Sequence, residues 1–165
     1  MIIHPFPPLF DSNSKILILG SFPSVKSREQ MFFYGHPQNR FWKVMSKVFE
    51  ADELNTIEQK KEFLYFHGIA LWDVIASCEI TGSSDSSIRN VISNDISIIL
   101  KTAHINQIFV NGKTAEKYFK KFTSKQIDRE AVCLPSTSPA NAAWSLDRLA
   151  DSWKIIRSFT DNEFL

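Results

Sequence analysis

Four short runs along the chain are apolar without alternation: Lys15–Leu19 (KILIL), Ile69–Val74 (IALWDV), Gln107–Val110 (QIFV) and Ala131–Leu134 (AVCL). A strand with one wet face alternates apolar and polar residues, so an unalternating run reads as a strand covered on both faces. Between the runs lie stretches compatible with helices: Asn39–Phe49, Thr56–His67, Ser87–Ala103, Thr114–Phe122, and a last one from about Asn141 to Phe159. Strand and helix alternate throughout. That order predicts parallel strands joined by right-handed crossovers, an α/β chain folded as a three-layer α/β/α sandwich around a four-stranded parallel sheet. The Ser-rich Thr81–Ser87 reads as a loop, and no repeat, low-complexity segment or linker interrupts the chain, so residues 1–165 are expected to form one domain.

Composition supports a packed protein and narrows its chemistry. Of the 165 residues 44% are hydrophobic and 13% aromatic, with fourteen Phe and four Trp, which excludes intrinsic disorder. No apolar run approaches the roughly 20 residues of a membrane span, and Met1-Ile2-Ile3-His4-Pro5 lacks the basic and apolar regions of a signal peptide, so a cytoplasmic protein with no membrane partner is expected. Cys78 and Cys133 are too few for a four-thiolate iron–sulfur cluster and are not spaced as a zinc pair; both are expected to be buried free thiols. His4, His36, His67 and His104 show no paired ligand spacing either, and no metal is expected. The net charge is only +1, but it is unevenly spread. Lys26, Arg28, Arg40, Lys43 and Lys47 face a single acid, Glu29, between Ser24 and Lys47, and a second basic stretch runs from Asn111 to Arg129. Segregated charge of this kind suits an anionic partner, although solvated helix faces show it too.

In open α/β sheets ligands bind beyond the carboxyl ends of the strands. The residues there are Gly20-Ser21-Phe22-Pro23-Ser24, Trp72-Asp73, Asn111-Gly112-Lys113, and Pro135-Ser136-Thr137-Ser138-Pro139-Ala140-Asn141. The first could form an anion-binding turn at a helix N-terminus or be a plain tight turn. Neither nucleotide-binding glycine fingerprint nor the G-x-S-x-G elbow of hydrolases is present, and the five glycines are dispersed. Met31–Trp42 holds five aromatics beside His36, Asn39 and Arg40, a mixture suited to stacking a flat heterocycle and hydrogen-bonding its edge. Core packing accounts for Phe41 and Trp42 equally well. Pro135–Asn141 suits helix capping or a phosphate backbone.

These residues resemble the uracil-DNA glycosylase superfamily, and within it the hypoxanthine-DNA (deoxyinosine) glycosylase branch. Gly20–Ser24 resembles the first motif and Leu134–Ala140 stands in the place of the second; His36–Val44 is similar to a segment of the mismatch-specific uracil and thymine glycosylases. Trp72–Cys78 with Gly82-Ser83-Ser84-Asp85-Ser86 resembles the hypoxanthine branch. The resemblance spans nearly the whole chain and implies excision of deaminated bases from DNA, hypoxanthine first and uracil as a further candidate, by a monofunctional enzyme that uses no metal or cofactor. Two departures bear on mechanism. The first motif of the mismatch-specific relatives carries a water-positioning Asn where this chain has Phe22, and their second motif carries a bulky wedge where this chain has Ala140.

Cleaving an N-glycosidic bond builds positive charge on the sugar and negative charge on the departing base, so donors must meet the base oxygen. Asn39 is therefore the first candidate to place water or hold the base, with capping of the next helix as the plain alternative. For the base itself, Phe22 or Tyr34 would stack and Asp73 or Asn111 would read the edge; Asp73 could equally cap a loop. Ser24, Arg40, Lys113, Ser136, Ser138 and Asn141 would grip DNA phosphates. The partner implied is DNA containing deaminated bases, acted on by a monomer. Two other readings compete: a non-catalytic nucleic-acid or nucleotide-binding module on the same fold, and a hydrolase of free nucleosides.

Overall fold

The structure, a computed structural model, describes residues 1–161; the last four positions of the expected 1–165 domain lie outside the described residues. Four parallel strands form the central sheet: β2 (Ile16–Gly20), β3 (Ile69–Asp73), β6 (Gln107–Asn111) and β7 (Val132–Leu134), in the order β3-β2-β6-β7. Ile16, Leu17, Ile18 and Leu19 are wholly inaccessible to solvent, as an unalternating run requires when helices cover both faces. The surrounding helices are α1 (Val25–Gln30), α2 (Phe41–Val48), α3 (Ile57–His67), α4 (Ser97–Thr102), α5 (Lys113–Tyr118), α6 (Ser124–Ile127), α7 (Leu146–Trp153) and α8 (Arg157–Thr160). The three-layer α/β/α architecture expected from the alternation is therefore present. Among the described residues no helix is long and apolar enough to cross a membrane.

Local chemistry sets several boundaries. The α3 helix opens with a capping box, in which the Thr56 hydroxyl accepts from the Gln59 amide while the Gln59 side chain accepts from the Thr56 backbone N–H, and it closes on Gly68 at φ +69°. Ser145 caps α7, so the last helix begins at Leu146 and not near Asn141. The stretch expected as one helix over Ser87–Ala103 is instead a strand, β5 (Arg89–Ser93), followed by the short α4.

That strand belongs to a second sheet that the sequence pattern did not announce. After β3 the chain passes through Val74 directly into β4 (Ile75–Glu79), which pairs antiparallel with β5 on one side and with β1 (Ile2–Ile3) on the other. The β5 strand lies at a sheet edge with mostly exposed side chains, and its pairing with β4 overrides a weak helical spacing. The consequence for function lies in β1: it brings the chain's first residues against the carboxyl end of the central sheet.

The core predicts a sharp contrast. Trp153, fully buried against Phe41, should cost about 3–5 kcal/mol when replaced by Ala. Phe66 is 84% exposed on α3, and Phe66→Ser should change stability by less than about 0.5 kcal/mol. Urea unfolding of the two variants checks both.

Candidate active site

Gly20 ends β2, Asp73 ends β3 and Asn111 ends β6, and since β2 lies between the other two, these residues stand side by side where the strand order reverses. A cleft of about 870 Å³ opens there. Its walls come from the Gly20–Ser24 turn, the aromatic segment with Phe33, Tyr34, His36 and Asn39, the Asn111–Thr114 turn and the Cys133–Asn141 segment. Every residue expected at the site lines it except Arg40.

At the floor the backbone is crowded. A side chain on Gly20 would collide with Asp73 Oδ1 and lie 3.2 Å from the Tyr34 hydroxyl oxygen, so only glycine lets both groups approach the end of β2. Asp73 is buried, and its Oδ2 lies 2.7 Å from His4 Nε2, the two side chains being 6% and 4% exposed. His4 was not among the expected site residues; nothing local in the sequence marks it, because its role follows from the β1–β4 pairing. The Asp73 carbonyl accepts from the Asn94 side chain at 2.8 Å, which fixes the chain where it crosses from one sheet to the other.

Tyr34 sits at φ +53°, a region costly for an aromatic residue. One ring face is stacked on Phe41 at 4.0 Å. Its hydroxyl is buried without a hydrogen-bond partner, and that burial, reinforced by the Asp73 carboxylate and opposed by the Asn111 side chain, holds the phenol above the ordinary tyrosine range. The ring of Phe22 is half-buried, edge-on to His4 at 6.0 Å, with the Arg28 guanidinium 5.7 Å from its centre.

Thr137 fastens the cleft from the other side. It is fully buried; its N–H donates to Asn111 Oδ1 at 3.1 Å, its hydroxyl accepts from Asn111 Nδ2 at 3.0 Å and donates to Asn39 Oδ1 at 2.9 Å, and its carbonyl accepts from the Arg40 N–H at 3.0 Å. The Asn111 amide thus bonds Thr137 through both its oxygen and its nitrogen, which holds the loop against β6. Asn39 Oδ1 also accepts from the Phe41 N–H at 3.0 Å, capping α2. The capping alternative is therefore present, while Nδ2 of the same amide has no partner among the described residues.

Arg40 is a correction. Instead of facing DNA, its guanidinium donates to the carbonyls of Ser138 at 3.2 Å, Asn141 at 3.0 Å and Trp144, bracing the 138–144 loop from behind. The smaller polar residues stand on the cleft. Ser24 caps α1 by accepting from the Ser27 N–H, Ser136 and Ser138 accept from the amides of Ser138 and Ala140, and Asn141 donates to the Ser136 carbonyl. The Ser136 and Ser138 hydroxyl protons stay free for an acceptor. Lys113, exposed at the start of α5, has no partner among the described residues. Cys78 is buried as expected, but Cys133 is only half-buried and lines the cleft, its thiol pushed up by burial and by the Glu116 carboxylate. Ala140 is exposed and small, and Trp144 lines the cleft near it with the Arg148 guanidinium 3.8 Å from its ring centre. Among the described residues no group of three or more His, Cys, Asp or Glu side chains could hold a metal ion.

Comparison with known proteins agrees with this geometry. Residues 7–160 match the family model of the uracil DNA glycosylase superfamily. A protein of Methanosarcina acetivorans named hypoxanthine DNA glycosylase is 34% identical over 158 residues, covering 94% of this chain and 98% of the relative. One of the same name from Methanosarcina barkeri is 34% identical over 116 residues, covering 68% and 73%. The solution NMR structure of a Methanosarcina acetivorans protein, described as a candidate uracil DNA glycosylase, superposes with a TM-score of 0.81 at 32% identity, covering 98% of this chain and all of that one.

The assignments of Arg40 and Lys113 are separable by calorimetry. Arg40→Ala should remove three hydrogen bonds, leave the Trp144 carbonyl without a donor among the described residues, cost about 1.5–3 kcal/mol and lower Tm by on the order of 5 °C. Lys113→Ala should leave Tm unchanged.

Proposed function

The chain belongs to the uracil DNA glycosylase superfamily, and from that premise we propose that it hydrolyses the N-glycosidic bond of deaminated bases in DNA, hypoxanthine first, and leaves an abasic site. One observation carries the reading: a carboxylate acceptor at Asp73 and an amide donor at Asn39 face the same cleft beside the rings of Phe22 and Tyr34. A flipped base enters between those rings, stacking on Phe22 or on the free face of Tyr34. The N1–H of hypoxanthine, or the N3–H of uracil, donates to Asp73, and the adjoining carbonyl oxygen accepts from Asn39 Nδ2 or a loop amide. Since Asn39 Oδ1 is already occupied by two donors, Asn39 acts through its N–H, either on the base oxygen or on the attacking water. Donors at the base oxygen stabilise the charge that grows there as the bond breaks, and the DNA phosphates stabilise the charge on the sugar.

Ser24, Lys113, Ser136, Ser138 and Asn141 hold the backbone. Lys113 is exposed, without the desolvation that turns a lysine into a nucleophile, so the enzyme is monofunctional. It works as a cytoplasmic monomer on DNA and needs neither metal nor cofactor. Phe22, in place of the first-motif Asn, favours the second reading, a non-catalytic DNA-binding module.

Oligonucleotides carrying one deoxyinosine or one deoxyuridine, incubated with the protein in EDTA and then treated with alkali, decide between the two. The glycosylase releases the base from deoxyinosine strands at a rate EDTA does not change, and alkali then breaks them at the abasic site; a binding module leaves every strand intact. Asn39→Asp retains the oxygen that caps α2 and bonds Thr137 while removing the donor, so its rate should fall about a hundredfold or more at nearly unchanged Tm. Lys113→Ala should weaken binding to every DNA sequence alike and lower the salt dependence by about one counterion.

A further inference from the structure

We propose that His4 is a positioning residue for base recognition: it orients the Asp73 carboxylate so that the oxygen left free accepts the N–H that deamination leaves next to a base carbonyl. The inference deepens the glycosylase reading above and rests on it. The Nε2–Oδ2 distance is 2.7 Å, and both side chains are almost fully buried. A carboxylate so placed needs a fixed donor to remain an acceptor, since burial alone favours its neutral form.

His4 is built to be that donor. Its backbone N–H donates to the Ala76 carbonyl at 2.8 Å, next to the pairing of Ile3 with Ser77, so the β1–β4 ladder sets its place. Its ring lies 4.5 Å from that of Phe6 and 6.0 Å from that of Phe22. Nδ1 is buried and has no hydrogen-bond partner, so Nε2 is the ring nitrogen engaged, and its N–H donates to the carboxylate oxygen Oδ2. That bond leaves Oδ1 above Gly20, which has no side chain of its own to cover it, as the acceptor on the cleft.

The arrangement discriminates by charge. Hypoxanthine and uracil present an N–H there, whereas adenine and cytosine present a ring nitrogen lone pair that a carboxylate repels. A carboxyl that carried a proton toward the cleft would instead donate to adenine N1, so an acceptor paired to the His4 donor excludes the parent bases as well as holding the products of deamination.

The test measures single-turnover excision of deoxyinosine across pH 5.5–9 for the wild type, His4→Phe, His4→Gln and His4→Phe combined with Asp73→Asn. His4→Phe removes the donor and leaves Asp73 buried without it, so its carboxyl should protonate at higher pH. Its rate should fall about tenfold or more near neutral pH and climb with rising pH along a limb the wild type lacks, while affinity for undamaged DNA stays the same. Tyr34, His36, Asp85, Lys113 and Cys133, the other ionisable groups facing the cleft, are common to all variants, so a limb confined to His4→Phe belongs to Asp73. His4→Gln keeps an N–H near the Nε2 position and should restore most of the rate. In the Asp73→Asn background, His4→Phe should cost little more. Wild-type rate and pH profile in His4→Phe overturn the proposal, as does a folded His4→Gln no better than His4→Phe. If His4→Phe does not fold, His4→Gln alone decides it: a rate within a few-fold of the wild type supports the proposal, and a folded His4→Gln slowed tenfold or more overturns it. A wild-type protein that excises neither deoxyinosine nor deoxyuridine defeats the glycosylase reading itself, a result distinct from any of these.

Discussion

The parallel pairing of β2 with β3 on one side and β6 on the other withdraws Ile16 to Leu19 entirely from water and leaves that strand no polar surface of its own. Polarity is thereby concentrated at its carboxyl end, where three neighbouring strands stop at Gly20, Asp73 and Asn111. The helices on both faces cover this apolar sheet, and the cleft opens at its carboxyl edge. Gly20 makes the edge usable: any larger residue would push apart the Asp73 carboxylate and the Tyr34 phenol. The buried, unpartnered hydroxyl and positive φ of Tyr34 are local costs borne by a core that over-determines its position, as the Phe41 stack illustrates.

Rigidity on the opposite wall comes from hydrogen bonds. Thr137 has its N–H, carbonyl and hydroxyl all engaged, with Asn111, Arg40 and Asn39, so the 135–141 segment cannot shift without releasing buried polar groups. Arg40 extends the lock to Ser138, Asn141 and Trp144. Two loops far apart in sequence therefore move as one wall. The same lock orients Asn39: its oxygen is held by two donors while its N–H₂ has no partner among the described residues, which is the orientation the proposed role uses.

Anion recognition is divided from this lock. Much of the basic charge between Ser24 and Lys47 is neutralised nearby, Lys26 by Glu29 and Lys47 by Asp147, or turned inward, as in Arg40. What faces the cleft is a single lysine, Lys113, with hydroxyls and an amide on the 136–141 loop. In the proposed reading such a site would hold a phosphate chain by directed hydrogen bonds more than by bulk field, in keeping with a net charge of only +1.

The sequence by itself determined the central sheet, since unalternating apolar runs can be stable only when covered on both faces, and their order constrains the connections. It also located the cleft, because residues immediately after those runs must converge at one edge: that Gly20, Asp73, Asn111 and Ser136 would line it was legible in this way. What it left open depends on contacts between residues far apart in the chain. The antiparallel sheet rests on β1 and β5, two and five residues long, whose pattern alone is too short or too weak to outweigh a helical spacing. His4 meets Asp73 across 69 positions and Arg40 meets the 138–144 loop across about a hundred, so a histidine beside a proline and an arginine in an aromatic run carry no local sign of either partner. Tertiary structure decided which polar groups were spent on holding the fold and which were left free to act, because a donor or acceptor is assigned by the neighbour it finds when buried.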